Sequence, residues 1–519
     1  MTMTRKTHVP LLRKFLQGEE GSMLPFSTMI FTSMMLIGGL AIDVMRHEQK
    51  RVMLQQTLDN SVLAAAALKQ TLDPATVVRD YFDKASLTQY LTSVTVSRGL
   101  NFKNVTATAA ADTKPFFMSM MGVQDFSVAA DSQAEERISN VEVSLVLDVS
   151  GSMDGSRITA LRPAARSFVD TIFNNSEAGK VTMSIVPYST QVNVGRNVRD
   201  LFTGTTEKHD SSFCLELPGS VFSSTTLPLS SVLHQNAHFD GFIWSTSNYA
   251  AYKTPQIRNC NADARNEVVT LGDNATTLKS RITNLQVDGN TSIELGVKWG
   301  ALLLDPSARG LVNGLISRNA VSSAYAGRPL DAVSGDTIKV LVVMTDGENT
   351  YDVSVTPPYD GTGLSPFYFT GTTSKTLATY YWPERTGTSD FYSVSTGTWS
   401  TTASGTRATW QQAFSYATAQ YLAFVTQRAR GSTAAAWYET YTDTVNATTK
   451  NTRLQQICAA AKSAGMVIFG IGFEAPTDGK AQLKACATDA GHYYDASSLD
   501  IATVFQSIAT QISMLKLKQ

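Results

Sequence analysis

Three features of this chain predict an α/β fold, a doubly wound and mostly parallel sheet. The apolar runs Val143-Ser144-Leu145-Val146-Leu147 and Val340-Leu341-Val342-Val343-Met344 are short and bounded by Asp, Ser and Gly, as buried parallel strands are. From about residue 139 onward such runs alternate with amphipathic stretches of helical length. Polar residues follow the two runs directly, Asp148-Val149-Ser150-Gly151-Ser152 after the first and Thr345-Asp346-Gly347 after the second. In open α/β sheets ligands bind in such loops, past the carboxyl ends of the strands.

The chain begins differently. Met23 to Ile42 holds no charged residue and is rich in Met, Leu, Ile and Phe. As a helix it would be about 30 Å long, the hydrocarbon thickness of a bilayer. Arg5, Lys6, Arg13 and Lys14 precede it, and Arg46, Lys50 and Arg51 follow. That bias modestly favours a cytoplasmic segment 1–22, a single-pass membrane helix over 23–44, and the bulk of the chain facing outward. The run is longer than a signal-peptide core and no A-x-A site closes it, so a retained anchor is expected. Pro25, Gly38 and Gly39 are tolerable in a membrane helix. The spacing of Val52, Leu54, Leu58, Val62, Leu63 and Leu68 extends the helix over 45–71. Alternation predicts strands over 92–97, 105–109 and 126–130, the last ended by Asp131-Ser132. Residues 45–138 would form a small α+β stalk.

The sheet domain, 139–519, takes a helix over 156–173 with Leu161, Ala165, Phe168, Val169 and Ile172 on one face. Pro163 would kink this helix or mark a later start. Strands are expected at 181–187, 338–344, 465–472 and 492–495, and helices at 292–304 and 498–515. Insertions at about 200–270 and 350–450 interrupt the alternation. The second is rich in Thr, Ser and aromatic residues, including Tyr380, Tyr381, Trp382, Trp410, Trp437, Tyr438 and Tyr441. These aromatics form either a recognition surface or the insertion's own core.

Asp148, Ser150, Ser152, Thr291 and Asp346 would meet at one sheet edge. They offer oxygen donors alone, a set suited to a hard divalent cation such as Mg²⁺, with Mn²⁺ or Ca²⁺ as alternatives. Asp154 reads as a cap or turn residue, and Glu348 as a solvated loop charge. His234 and His238 would share a helix face, yet their neighbours do not read as a helix. With no Gly-x-Ser-x-Gly elbow, no C-x-x-C pair and no His or Lys base near the carboxylates, an enzyme is not expected. A formal net charge of -1, no basic stripe and no phosphate-cradling loop argue against nucleic acid. Four cysteines in an exported domain suggest two disulfides, Cys214 with Cys260 and Cys458 with Cys486; buried free thiols are the alternative.

Two resemblances follow. Asp148-x-Ser150-x-Ser152, Thr291 and Thr345-Asp346-Gly347 resemble the metal-ion-dependent adhesion site of von Willebrand factor type A (vWA) domains. The resemblance implies that Ser150, Ser152 and Thr291 coordinate directly, while Asp148 and Asp346 act through waters or hydroxyls. It also implies an open coordination position that an acidic side chain of a protein partner completes. The second resemblance spans about 15–70 and lies in Gly18-Glu19-Glu20-Gly21-Ser22, Gly39-Leu40-Ala41-Ile42-Asp43-Val44 and the Ala-rich run after Gln55. It is similar to the TadE/TadG-like N-terminal region of Tad (Flp) pilus-assembly proteins. Five residues past Gly21 stands Phe26, and past Gly18 Met23, where prepilin peptidases expect Glu, so an uncut anchor is expected. Together the resemblances imply an inner-membrane pilus-assembly or secretion component whose C-terminal domain lies in the periplasm or outside the cell, contacting envelope proteins. A surface adhesin and, less in keeping with the residues, a metal-dependent hydrolase are the alternatives.

Overall fold

The structure is a computed structural model describing residues 23–518, apart from 68–69, 71, 99–101, 138–139, 175, 177–178, 206–208, 332–336 and 498. The expected cytoplasmic segment, its basic residues and the Gly18–Ser22 stretch lie outside the described residues. The chain divides into two compact units, Met1–Ile138 and Ser139–Gln519.

In the first unit one continuous helix, α1 (Met23–Ala66), holds the apolar run and its extension as far as Ala66; Val52 and Leu63, expected on the apolar face, are exposed, and Leu68 lies outside the described residues. The helix is long and apolar enough to cross a membrane. Its first half exposes Met23, Phe26, Phe31 and Met34. Its second half buries Leu54, Leu58, Val62 and Ala65, a spacing of four and three residues that aligns them on one face against the strands. Helix α2 (Pro74–Lys84) was not expected, although Asp73 caps it and Pro74 occupies its first turn. Strands β1 (Leu91–Arg98), β2 (Phe102–Thr113) and β3 (Phe126–Arg137) form an antiparallel sheet in that order. Asp131-Ser132 do not end β3. They pair with Thr108 and Ala107 of β2, whose length keeps their backbone groups bonded. The Asp43 carboxylate accepts the backbone N–H groups of Phe116, Phe117 and Met118 at 2.9, 2.7 and 2.8 Å. A Cβ on Gly39 would come within 2.3 Å of the Phe117 ring, so this turn lies tightly on the helix.

The second unit opens with β4 (Asn140–Asp148), α3 (Ser156–Asn174) and β5 (Val181–Tyr188). Pro163 sits inside α3 without ending it, its ring on the exposed side. Two-residue strands β6 (Leu215–Glu216) and β7 (His234–Gln235) pair within the first insertion, and β8 (Val269–Gly272) closes it. Helices α4 (Ala275–Asn284), α5 (Ile293–Leu302) and α6 (Arg309–Ser317) lead to β9 (Thr337–Thr345). The second insertion opens at β10 (Asp352–Val355). It carries the sheet of β11 (Leu364–Thr370), β12 (Thr376–Tyr381), β13 (Phe391–Ser393), β14 (Trp399–Ser400) and β15 (Thr406–Thr409). Helices α7 (Trp410–Tyr416), α8 (Ala419–Arg430) and α9 (Ala434–Tyr441) follow, and β16 (Thr442–Val445) closes the insertion against β10. Then come α10 (Ala447–Ser463), β17 (Val467–Phe473), α11 (Thr477–Cys486), β18 (Tyr493–Ala496) and α12 (Ile501–Lys518).

The main sheet is mixed, in the order β18-β17-β9-β4-β5-β8. Its first four pairings are parallel, and the unexpected edge strand β8 runs antiparallel to β5. Helices cover both faces. Val143, Leu145 and Leu147 pack with Phe168 of α3, Leu278 of α4 and Phe505 of α12. Val146, Leu341 and Val343 pack with Trp299 of α5, Ile457 of α10 and Leu483 of α11. Helix α5 is buried along its whole length, and glycine lets it approach the strands. A Cβ on Gly296 would lie 2.6 Å from the Tyr188 ring, and one on Gly300 2.6 Å from Val146.

The aromatics of the second insertion are its own core: Phe367, Trp410, Phe414, Tyr438 and Tyr441 cluster together, and Phe239 of the first insertion joins them. Cys214 bonds Cys260, and Cys458 bonds Cys486, tying α10 to α11. The second bridge closes a loop of sequence separation 28, which chain-entropy reasoning values at about 3.6 kcal/mol. Replacing Cys458 and Cys486 together by Ser is expected to lower the urea midpoint by that amount of stability. Unchanged unfolding would show that the bridge adds nothing.

Candidate metal site

The parallel register of β4 and β9 pairs Leu147 with Met344, so the chain turns off both strands side by side. The Thr345 hydroxyl donates to Asp148 Oδ2 across the two strand ends. Asp148 Oδ1 accepts the Ser150 N–H at 2.8 Å, which folds the Asp-x-Ser turn back on its own carboxylate. Ser150 Oγ lies 3.0 Å from Ser152 Oγ, and Ser152 Oγ donates to Asp346 Oδ1 at 2.7 Å.

Thr291 arrives on a loop that the first turn clasps: Gly151 N–H donates to Gly289 O and Asp288 N–H to Val149 O, both at 2.9 Å. Thr350, just past β9, holds it from the other side, donating its N–H to Thr291 O at 3.1 Å and accepting the Thr291 N–H on its hydroxyl at 3.1 Å. A Cβ on Gly347 would sit 3.3 Å from Thr291 Oγ1 and 3.6 Å from Ser152 Oγ, so both hydroxyls border the same glycine. Ser152, Thr291 and Asp346 line an open cavity of about 450 Å³. Asp148 and Ser150 stand buried behind them. The five residues named from the sequence are thus brought together.

Burial pushes the Asp148 carboxyl well above the usual range, and the neighbouring Asp346 charge adds to this. Burial raises Asp346 too, against the hydrogen bonds of Ser152 and Arg157 that hold it down. Arg157 escaped the sequence reading. Its guanidinium donates to Asp346 Oδ2 at 2.6 Å, to Ser152 O at 3.2 Å and to Glu474 Oε2 at 3.3 Å. Its position, in the first turn of α3 and five residues past Ser152, was the available signal. Lys450 was missed as well: buried on α10, it donates to Thr291 O at 3.0 Å and to Ser292 Oγ. Asp154 and Glu348 are exposed.

Two buried carboxylates that repel each other, with three hydroxyls and no sulfur or nitrogen donor, fit a hard divalent cation. Among the described residues no three His, Cys, Asp or Glu side chains cluster as a metal site. A cation here therefore depends on the hydroxyls. His234 lies in β7 and His238 follows it outside any helix, so the two do not share a helix face. Burial pushes the His238 imidazole down to about 4, helped by Arg258 and His209. The unfolded chain takes up this proton near the ordinary histidine value of about 6.5 and the folded chain only near 4, so stability falls as pH drops between them. His238→Phe is expected to flatten that part of the stability-against-pH curve, measured by urea unfolding; an unaltered slope would contradict it.

Comparison with known proteins gives a family match at one end. Residues 21–68 match the family described as putative Flp pilus-assembly TadE/G-like. No curated protein matches the chain. Among solved structures the chain is similar to the pilus adhesin SpaC from Lactobacillus rhamnosus GG in its open conformation, at 12% identity and TM-score 0.30 over 81% of this chain. The match spans 33% of SpaC, a third of that protein's length. The vWF domain of the type V pili tip protein Mfa5 from Porphyromonas gingivalis matches at 14% identity and TM-score 0.30, over 73% of this chain and 97% of that one. An adhesive tip pilin from Group B Streptococcus agalactiae matches at 11% identity and TM-score 0.31, over 72% of this chain and 100% of that one.

Proposed function

We propose that this chain is a membrane-anchored, outward-facing component of Tad/Flp-type pilus assembly or secretion, and that it grips protein partners through a divalent cation. In this reading residues 23–44 cross the inner membrane, 45–138 form the stalk, and 139–519 are a vWA domain with a doubly wound sheet and two insertions. The TadE/G-like match of residues 21–68 supports the pilus setting. The observation that carries the binding role is the convergence of Asp148, Ser150, Ser152, Thr291 and Asp346 at the ends of β4 and β9 and on the loop before α5.

Ser150, Ser152 and Thr291 would hold the cation with their hydroxyls, and Asp148 and Asp346 would balance its charge. When bound, the cation supplies a vacant position that attracts a carboxylate. The protein's own part is orientation. Asp148 fixes the turn by accepting the Ser150 N–H, and Ser152 keeps Asp346 Oδ1 facing the hydroxyl row. Partner affinity then comes from the acidic contact and the surrounding loops.

Asp148→Ala or Thr291→Ala is expected to abolish Mg²⁺-dependent partner capture from crosslinked envelope fractions while near-ultraviolet circular dichroism stays native. Capture that persists in excess chelator would refute the reading. Cleavage of the domain by protease added to intact cells would favour a surface adhesin. Arg157 places a fixed positive charge beside Asp346, so Arg157→Ala is expected to tighten Mn²⁺ binding several-fold by calorimetry. Weaker binding would mean that Arg157 serves to orient Asp346 instead.

A further inference from the structure

A second cavity, of about 340 Å³, opens where both insertions meet helix α5. Four carboxylates line it: Glu216 of β6, Glu294 of α5, Asp352 of β10 and Asp443 of β16. Arg453 lines it too, and Lys450 Nζ stands 3.9 Å from Glu294 Oε1.

Glu294 is the informative member. It is 1% exposed, and its Oε2 has no hydrogen-bond partner. A buried carboxylate oxygen left bare costs several kcal/mol unless a donor reaches it. The half-buried Asp352 is already occupied: it accepts the Gln191 amide on Oδ2 and the Val353 N–H on Oδ1. Among the carboxylates lining the cavity, Glu294 thus carries a buried oxygen with no hydrogen-bond partner. A single acceptor suits a compact point charge better than a planar fork, which wants two parallel acceptors. Leu217, Val232, Leu295 and Val445 supply apolar wall between the carboxylates, which suits an aliphatic stem.

We propose that this cavity binds an alkylammonium group, a lysine side chain of a protein partner or a free primary amine, with Glu294 as its counter-ion. The ammonium donates to Glu294 Oε2, Asp443 at the exposed rim draws it in, and the stem lies along the apolar wall. The two insertions thereby build a second recognition point, and Glu294, in the first turn of α5, stands three residues beyond Thr291. This inference does not rest on the metal reading.

The test uses the full chain in detergent with excess chelator, so that a failure of the metal site cannot affect it. Binding of pentylamine is measured by calorimetry against pentanol and butylguanidinium. Pentylamine is expected to bind, pentanol not to, and Glu294→Gln to weaken pentylamine by about tenfold or more. Equal binding of pentylamine and pentanol, tighter binding of butylguanidinium, or unchanged affinity in Glu294→Gln would overturn the proposal. Should Glu294→Gln fail to fold, Asp443→Asn decides: a several-fold weakening supports the proposal and no change refutes it. An acetylated Gly-Lys-Gly amide that binds more tightly than pentylamine identifies a protein lysine as the source, and the reverse order a soluble amine.

Discussion

The pairing register of β4 with β9 is the constraint on which the candidate site depends. Leu147 opposite Met344 leaves Asp148 beside Thr345 and sends both chains off the sheet at the same height. A slip of one residue would exchange the faces of every side chain on the shifted strand, moving Val143, Leu145 and Leu147 out of the cluster they share with α3 and α12. Burial on both faces therefore fixes where the carboxylates stand. The Thr345 hydroxyl and the Ser152 hydroxyl only refine an arrangement that the apolar strands have already set.

Helix α5 extends that constraint to the third piece. The loop before α5 can reach the other two pieces because Gly296 and Gly300 let the helix lie close to Tyr188 and Val146. Lys450 and Thr350 then hold the Thr291 backbone from the far side. The site is thus framed by packing from below and by the buried Lys450 ammonium of α10. An edge assembled from so many parts of the chain suits pre-positioned donors rather than ones that order only on binding.

What was legible in the residues follows the range of the forces involved. The strands leading to Asp148 and Asp346, the helix from Ser156 and the long apolar helix are written in local periodicity, and all stand close to where periodicity puts them. Strand β8 was not legible, because a four-residue antiparallel edge carries little alternation of its own and depends on β5 for definition. Helix α2 did have a signal, Asp73-Pro74 followed by Val77, Val78 and Phe82, which periodicity alone underweights. Asp131-Ser132 read as a stop, yet the partner strand carried β3 through them. At the site the oxygen donors could be named from motif order. Arg157, Glu294 and Lys450 acquire meaning only from what lies opposite them in space, and neither Glu294 nor Lys450 has a neighbour in sequence that hints at its partner.

The antiparallel pairing of β10 with β16 brings the entry and exit of the second insertion together beside the candidate site. That excursion shares its aromatic interior with Phe239 of the first insertion, and Asn259 donates to Val353 O in the neck itself, so the two insertions pack as one body. Loop-closure entropy grows only slowly with length, so an excursion this long between β10 and β16 adds little closure cost to the main sheet. Neither insertion can therefore change alone, because each supplies part of the other's packing.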